Sequence, residues 1–275
     1  MKLKKIKSLV IASAGAMLMA QSAQAALTYS NGDLILGIRG STGTSNLEVD
    51  LGSINNILNI AGTGQILTFG TKFTAADITA GVGTAGSGSL NSAIWSVSAA
   101  INAVNQNGIT APSKTLWLSS ARGLNSSDVS TQTAPWTRGS STVQGNTAAS
   151  VLSVGSGFLS GSATAASPNT AAIVADGANS YHDNIVSGDF GNFQGNIENT
   201  LAANFTTAGF HSASDLYQMT PGSGNGTYLG HFELGTGGAL SFVAVPESGT
   251  FAASVAAGFM MLALMRAHRK SLAHS

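Results

Sequence analysis

Hydrophobic and polar positions alternate along much of residues 27–243, and this two-residue period predicts short β-strands. In residues 45–51, Leu47, Val49 and Leu51 alternate with polar residues, a pattern that predicts one buried and one exposed face. Similar apolar runs predict further strands at 34–39, 65–69, 115–119, 171–175, 215–219, 226–234 and 238–243. Glycine-rich turns join the last three runs, so we expect them to form a β-meander.

Helical spacing is rarer in the chain. Across residues 143–159 apolar side chains recur at helical spacing: Val143, Ala148, Val151, Leu152 and Leu159. This spacing predicts a helix there, interrupted near Gly155. Residues 73–79 predict a helical turn capped by Thr74. Residues 92–104 fit either a strand or a short amphipathic helix, and periodicity does not decide between the two.

The many short strands and glycine-rich turns predict a mainly β fold. We expect an antiparallel β-sandwich-like ectodomain over residues 26–243, with one or two short helices. The chain has no cysteine. Neither disulfides nor a thiolate-bound metal is therefore available, and stability has to come from buried apolar surface.

The first residues of the chain have the three parts of a secretory signal peptide. Four lysines lie within residues 1–7, an apolar stretch covers residues 9–20, and Ala23 and Ala25 form a small-x-small cleavage site. We therefore predict that residues 1–25 are removed by cleavage after Ala25, with Ala26 as the alternative last residue of the signal. The remaining chain is expected outside the cytoplasm.

The last part of the chain has the composition of a short transmembrane helix. Residues 248–265 form an uncharged run of 18 residues, which makes a helix of about 27 Å. This length is just sufficient for a hydrocarbon core of about 30 Å. Arg266, Arg269 and Lys270 follow directly. Such a basic cluster is expected to stay on the cytoplasmic side, which places the preceding domain outside.

Val245, Pro246 and Glu247 precede this run. The proline ring restricts φ and biases Val245 toward an extended conformation, whereas the Glu247 charge favours the membrane–water boundary. The motif, the apolar run and the basic cluster, residues 244–270 together, resemble the PEP-CTERM sorting signal of Gram-negative bacteria. Ser248 stands where that family has a second proline.

The resemblance implies recognition by an exosortase, an integral-membrane transpeptidase-like enzyme that cuts near the Pro-Glu motif. It also implies delivery to the cell surface or to its exopolysaccharide matrix. The expected partners are therefore an exosortase, the membrane through residues 248–265 before processing, and exopolysaccharide. A C-terminal anchor that is never cut is the alternative interpretation of the same tail. Segments of the ectodomain are similar to others attached to such tails, but this similarity implies no activity.

Charge distribution argues against one class of partner. The formal net charge of the whole chain is zero. Residues 26–247 contain five basic and twelve acidic residues, a net charge of −7. Because binding to nucleic-acid phosphates requires clustered lysine and arginine, we expect no nucleic-acid partner.

Candidate chemistry is sparse in the ectodomain. His182, His211 and His231 are its histidines, and no nucleophile lies in a recognisable catalytic motif. Residues 81–86 match the GxGxxG spelling but lack the βαβ context of a nucleotide site. We therefore expect neither an enzyme nor a cofactor, and favour a structural or matrix-associated protein.

Two further features keep alternatives open. Trp117, Trp136 and the acidic stretch 183–198 are compatible with a glycan-binding or glycan-cleaving protein, with Glu198 among the candidate carboxylates. Residues 176–184 are dense in oxygen ligands that suit calcium, although their spacing differs from that of an EF-hand loop. A solvated loop is the favoured interpretation of that stretch.

Overall fold

The computed structural model describes residues 26–40, 44–70, 72–82, 93–122, 133–187, 193, 197–201, 211–235 and 238–246. The strands are β1 (Asp33–Arg39), β2 (Ser45–Ser53), β3 (Ile66–Thr68), β4 (Ile94–Ala100), β5 (Leu116–Ala121), β6 (Ser162–Ala163), β7 (Ala171–Ala175), β8 (Asn199–Thr200), β9 (His211–Met219), β10 (Thr227–Gly235) and β11 (Leu240–Ala244). The helices are α1 (Asn55–Leu58), α2 (Ala75–Val82) and α3 (Ser141–Ser160), with a 3₁₀ turn at Gln106–Gly108 and a π-helical turn at Asp183–Ser187.

All of these strands belong to one antiparallel sheet. Its order is β3-β11-β10-β9-β5-β4-β1-β2-β7-β6, and β8 pairs with β4 beside this path. The prediction of a mainly β, antiparallel fold with few helices is confirmed. The described strands form one continuous ladder, whereas a sandwich consists of two separately hydrogen-bonded sheets.

The sheet curls so that its two ends approach each other. Beside β11, the Phe69 amide donates to the Leu240 carbonyl at 3.0 Å, and beside β7 the Thr170 hydroxyl donates to the Lys72 carbonyl at 2.6 Å. Residues 69 and 72 are separated by at most about 11 Å of chain. In a flat sheet, the seven spacings between β11 and β7 would measure about 34 Å. The sheet therefore wraps around an interior.

Alternating side chains of the strands fill this interior. The inward set of β1 is Leu34, Leu36 and Ile38, and the same core continues around the sheet to the aromatic residues of β10 and β11. There the ring of Phe232 meets the ring of Phe242 edge to face, with 5.0 Å between the ring centroids. Each fully buried side chain of this size contributes about 2–3 kcal/mol, so this core is the main stabilising element.

Helix α3 covers the outer face of the sheet. Its Ala148, Val151, Val154 and Phe158 are fully buried and belong to a second core cluster that also contains Ile35 of β1. Burial on both faces explains why strands of the central sheet are buried along nearly their whole length. The sheet thus separates two apolar cores.

The predicted helix at residues 143–159 is confirmed, but the interruption expected near Gly155 is wrong. Helix α3 continues through Gly155, because the glycine makes room for a ring rather than ending the helix. A Cβ at this position would lie 2.1 Å from Cε1 of Tyr29. The helix begins after Ser140, whose hydroxyl accepts a hydrogen bond from the Val143 amide at 3.4 Å.

The start of α2 agrees with the predicted cap. The Thr74 hydroxyl accepts a hydrogen bond from the Asp77 amide at 3.3 Å, and the Asp77 carboxylate accepts from the Thr74 amide at 2.8 Å. These reciprocal bonds satisfy two of the free donors at the helix start. Residues 94–100, where strand and helix were both open, form β4.

One strand prediction needs correction. The face of β2 that was expected to be exposed is buried, and Asn46, Glu48 and Asp50 are 1%, 0% and 8% exposed. The alternation is real, but the segment around Tyr181 covers the polar face: the Tyr181 amide donates to the Glu48 carboxyl at 2.8 Å. A two-residue period reports which side chains share a face, not whether a later segment covers that face.

Candidate functional site

The C-terminal motif begins as a direct continuation of β11. The Ala244 amide donates to the Gln65 carbonyl at 3.0 Å, and the Val245 amide donates to the Leu229 carbonyl at 3.2 Å. Val245 is therefore held by its main chain at the end of the sheet. The first residue of the motif belongs to the folded domain.

Pro246 is also held by the domain. It forms isolated β-bridges with Gly62 and Thr63, and its ring packs against Gly64, where an added Cβ would lie 3.1 Å from the proline Cγ. Gly64 has a φ of +71°, a conformation that favours glycine. The turn is fastened by the Thr63 hydroxyl, which donates to the Ile60 carbonyl at 2.6 Å. A preformed turn thus holds Pro246 against the domain.

Several predicted residues lie outside the described residues. They are Ala23, Ala25, Glu247, Arg266, Arg269 and Lys270, together with residues 248–265. Within the described part of the chain, no helix is both long and apolar enough to cross a membrane.

A buried ion pair joins β1 to the residue before β8. Arg39 donates to both carboxylate oxygens of Glu198, with Nε–Oε1 at 2.7 Å and Nη2–Oε2 at 2.6 Å. The Tyr181 hydroxyl donates to Oε1 of Glu198 at 3.0 Å and lies 2.5 Å from Oγ of Ser96. Burial, followed by the negative charge of Glu198, raises the pKa of Tyr181. Glu198 is thus occupied as a structural partner, which argues against its use as a glycan-cleaving carboxylate.

Beside this pair lies a carboxyl group with only half of its hydrogen bonds. Oε1 of Glu48 accepts from the Tyr181 amide, whereas Oε2 is buried without a partner among the described residues. Burial raises the pKa of Glu48 to about 8, and the bond from Tyr181 only partly offsets this shift. Glu48 is therefore a neutral acid at pH 7. The Asn46 amide nearby also lacks a partner among the described residues.

A second buried ion pair fastens the segment before Trp136. Nε of Arg122 donates to Oδ1 of Asp215 at 2.5 Å, and its Nη2 donates to the Tyr228 hydroxyl at 2.7 Å. The other carboxylate oxygen accepts from both the amide and the hydroxyl of Thr133, at 2.6 and 2.8 Å. Asp215 is fully buried. These bonds occupy both oxygens of Asp215, whereas Nη1 of Arg122 is buried without a partner among the described residues.

Both tryptophans of the glycan alternative take part in packing contacts of the domain. Trp117 is fully buried in the interior core. Trp136 is half-buried: its Nε1 donates to the Ser119 carbonyl at 3.2 Å, and its ring meets Phe193 edge to face at 5.3 Å. Both side chains therefore have packing roles.

An open cleft of about 410 Å³ lies between the end of α3 and residues 177–180. Hydroxyl and small side chains line it, among them Ser45, Ser160, Ser162 and Ser180. Next to it, Nδ1 of His182 lies 2.9 Å from the Asp176 carboxylate.

The stretch 176–184 was the candidate calcium loop. Among the described residues, no three acidic, histidine or cysteine side chains group as metal ligands would. Hydrogen bonds from within the stretch occupy its oxygens instead. Oδ1 of Asp176 accepts from the Ser180 hydroxyl at 3.0 Å. Although burial alone would raise it, these bonds from His182 and Ser180 hold the pKa of Asp176 below its usual value.

The sequence did not reveal the two buried ion pairs. Their partners are 159 and 93 residues apart, so no local spacing connects them. The available signal was weaker: Arg39 ends the apolar strand β1 and Arg122 directly follows the apolar strand β5, where an unpaired charge would be costly to bury.

Comparison with protein-family models, with curated proteins and with solved structures finds no match to this chain.

Proposed function

We propose that the chain is a secreted structural protein of the cell surface or exopolysaccharide matrix, sorted through its C-terminal tail by an exosortase. The proposal combines a signal peptide at residues 1–25, a β domain, the motif at residues 245–247, a membrane helix at residues 248–265 and a basic cluster at residues 266–270. The carrying observation is that Pro246 is bridged to residues 62 and 63 of the domain and lies two positions before the start of the uncharged run.

In this proposal the motif marks the site of processing. The Val245 amide makes a strand-like hydrogen bond to the Leu229 carbonyl. An extended peptide is the form that protease-like active sites bind. Glu247 resists entry into hydrocarbon and so fixes the depth of the motif at the outer boundary. Arg266, Arg269 and Lys270 hold the other end of the helix on the cytoplasmic side.

A structural role for the domain is supported by how its polar groups are used. Glu198 and Asp215 neutralise buried arginines, and Trp117 lies in the interior core. These side chains stabilise the fold instead of lining an accessible site. The domain is therefore suited to durability outside the cell, where it has no disulfides to rely on.

Cell fractionation of a double variant tests the sorting role. In Pro246→Ala with Glu247→Ala, we expect the protein to remain in the inner membrane with its tail uncut, whereas the wild type reaches the surface fraction. Ser248→Ala is the matched control, since it changes the next residue and leaves the motif intact. Equal release of the double variant and the control would contradict the role of the motif.

A further inference from the structure

The antiparallel register brings one set of loops to the end of the sheet where Pro246 lies. The loops are 30–32, 53–64, 101–115 and 220–226, and with residues 245–246 we call them the exit end. Hydrogen bonds join the loops: the Ile54 amide donates to the Gly32 carbonyl at 2.9 Å, and the Asn55 side chain donates to the Gly108 carbonyl at 3.2 Å. The exit end is therefore one continuous surface.

In the sequence, only Glu247 separates Pro246 from the uncharged run. Pro246 is fixed to the fold, and the run begins at Ser248. Two residues span at most about 7 Å. The headgroup region on each side of a bilayer is about 5–8 Å thick. If residues 248–265 are inserted, the exit end has to lie within or against the headgroup layer.

The cations of residues 26–247 are distributed unevenly over the domain. Arg39 and Arg122 lie at the opposite end of the sheet, where each is paired with a buried carboxylate. The other three are Lys72, Lys114 and Arg138.

Their neighbours place these residues. Lys114 lies in the 101–115 loop, and Lys72 is close enough to Asp33, at the start of β1, for its charge to offset part of the pKa rise that burial causes there. Nη1 of Arg138 donates to the Thr220 hydroxyl at 2.8 Å.

Two acidic residues described at the exit end interact with one of these cations. Burial raises the pKa of Asp33 and of Asp50, and the charge of Lys72 offsets part of the rise in both. Lys72 is therefore balanced within the domain. Lys114 and Arg138 form no ion pair with the part of the chain that the structure describes, so these two charges remain for anionic groups.

Two apolar side chains project from the same end. Ile66 of β3, which pairs with Val243 beside the exit, is 64% exposed, and Val104 in the 101–115 loop is 63% exposed. Among the described large hydrophobic residues, the other exposed ones are Val143 and Leu159, both on α3. Leu159 lies near the C-terminus of α3, away from the exit end.

We propose that the exit end is a membrane-contacting surface that binds the anionic headgroup layer of the bilayer. Lys114 and Arg138 meet lipid phosphates, while Ile66 and Val104 enter the interface beside Pro246. Basic residues near a bilayer are attracted to anionic lipid, and apolar side chains among them add buried area. The inference rests on the proposed insertion of residues 248–265.

The absence of cysteine from the chain makes a site-specific depth measurement simple. The full-length protein is reconstituted into vesicles containing an anionic phospholipid, with one fluorophore attached through Ile66→Cys, Val104→Cys, Leu159→Cys or Ala256→Cys. Quenchers placed at the headgroup and deep in the acyl chains report the depth of each label. The label at position 256 reports insertion of the helix, and the label at 159 is the matched exposed control.

We expect headgroup quenching at positions 66 and 104, deep quenching at 256 and none at 159. Lys114→Gln with Arg138→Gln should reduce quenching at 66 and 104 and leave the signal at 256 unchanged. If 256 is quenched while 66 and 104 behave like 159, the membrane surface is wrong and the proposed insertion stands. If 256 is not quenched, insertion itself fails, and the surface proposal fails with it.

Discussion

Replacing Glu48 with glutamine provides a direct test of the buried polar face of β2. Glu48 is fully buried, accepts one hydrogen bond from the Tyr181 amide, and has an unpartnered Oε2 among the described residues. Glutamine keeps the shape and the acceptor but cannot ionise. The Arg39–Glu198 ion pair lies beside it, and Asp50 shares its face of the strand.

The sign and size of the effect follow from the pKa of Glu48. Burial raises this pKa from 4.5 to about 8. Because the folded form holds its proton more tightly, its stabilising contribution is complete below about pH 4.5 and is lost as the pH rises to about 8. At 1.36 kcal/mol per unit, the whole change is about 5 kcal/mol. The Glu48→Gln variant lacks this change.

Urea unfolding of residues 26–246 at pH 5, 7 and 9 measures the difference, with fluorescence of the buried Trp95 and Trp117 as the signal. The advantage of Glu48→Gln over wild type should grow by about 4 kcal/mol between pH 5 and pH 9, because the remainder of the change lies below pH 5. Titration of Asp50 occurs in both proteins and cancels in the difference. An advantage that does not change with pH would refute the neutral, buried state of Glu48.

Two further substitutions test packing and charge pairing. A Cβ on Gly37 would lie 2.1 Å from the Tyr181 ring, so Gly37→Ala should lower the free energy of unfolding by about 1–3 kcal/mol, whereas Gly177→Ala, with open space around it, should change it by less than about 0.5 kcal/mol. Asp215→Ala leaves the Arg122 guanidinium buried without its carboxylate and should cost about 3–5 kcal/mol in a urea titration; a loss below 1 kcal/mol would show that water reaches the pair.

The strand content of the fold could be predicted because side-chain alternation is a local property. Apolar runs between glycine-rich turns predict the meander of β9, β10 and β11, and a short apolar run predicts β7. The curl of the sheet could not be predicted, since it depends on hydrogen bonds at Phe69 and Thr170, which belong to opposite ends of the ladder. Only the folded arrangement reveals that distant pairing.

Two predictions were wrong because the structural role of the residue depends on its neighbours in the fold. Gly155 looks like a helix breaker, yet the cost of a helical glycine is about 1 kcal/mol, and the Tyr29 ring fills the space it leaves. Glu48 looks like a solvent-facing residue of an amphipathic strand, yet the segment at Tyr181 covers it. In both cases a contact far away in sequence decides the outcome.

The conformation of Val245 could be predicted from the sequence, whereas the contacts of Pro246 could not. Val245 was expected to be extended, and its amide does bond to the Leu229 carbonyl as a strand residue would. The docking of Pro246 on the 62–64 turn had no sequence signal, because the two segments are far apart in the chain. That docking is what links the sorting proposal to the folded domain.

The C-terminal residue of the protein recovered from the cell surface tests the sorting account most directly. Intact-mass and peptide mass spectrometry would locate it. We predict that the released protein ends near residues 245–250 and lacks Arg266, Arg269 and Lys270. A surface protein that still carries residues 266–275 would contradict the account, because the chain would then be held by an uncut tail.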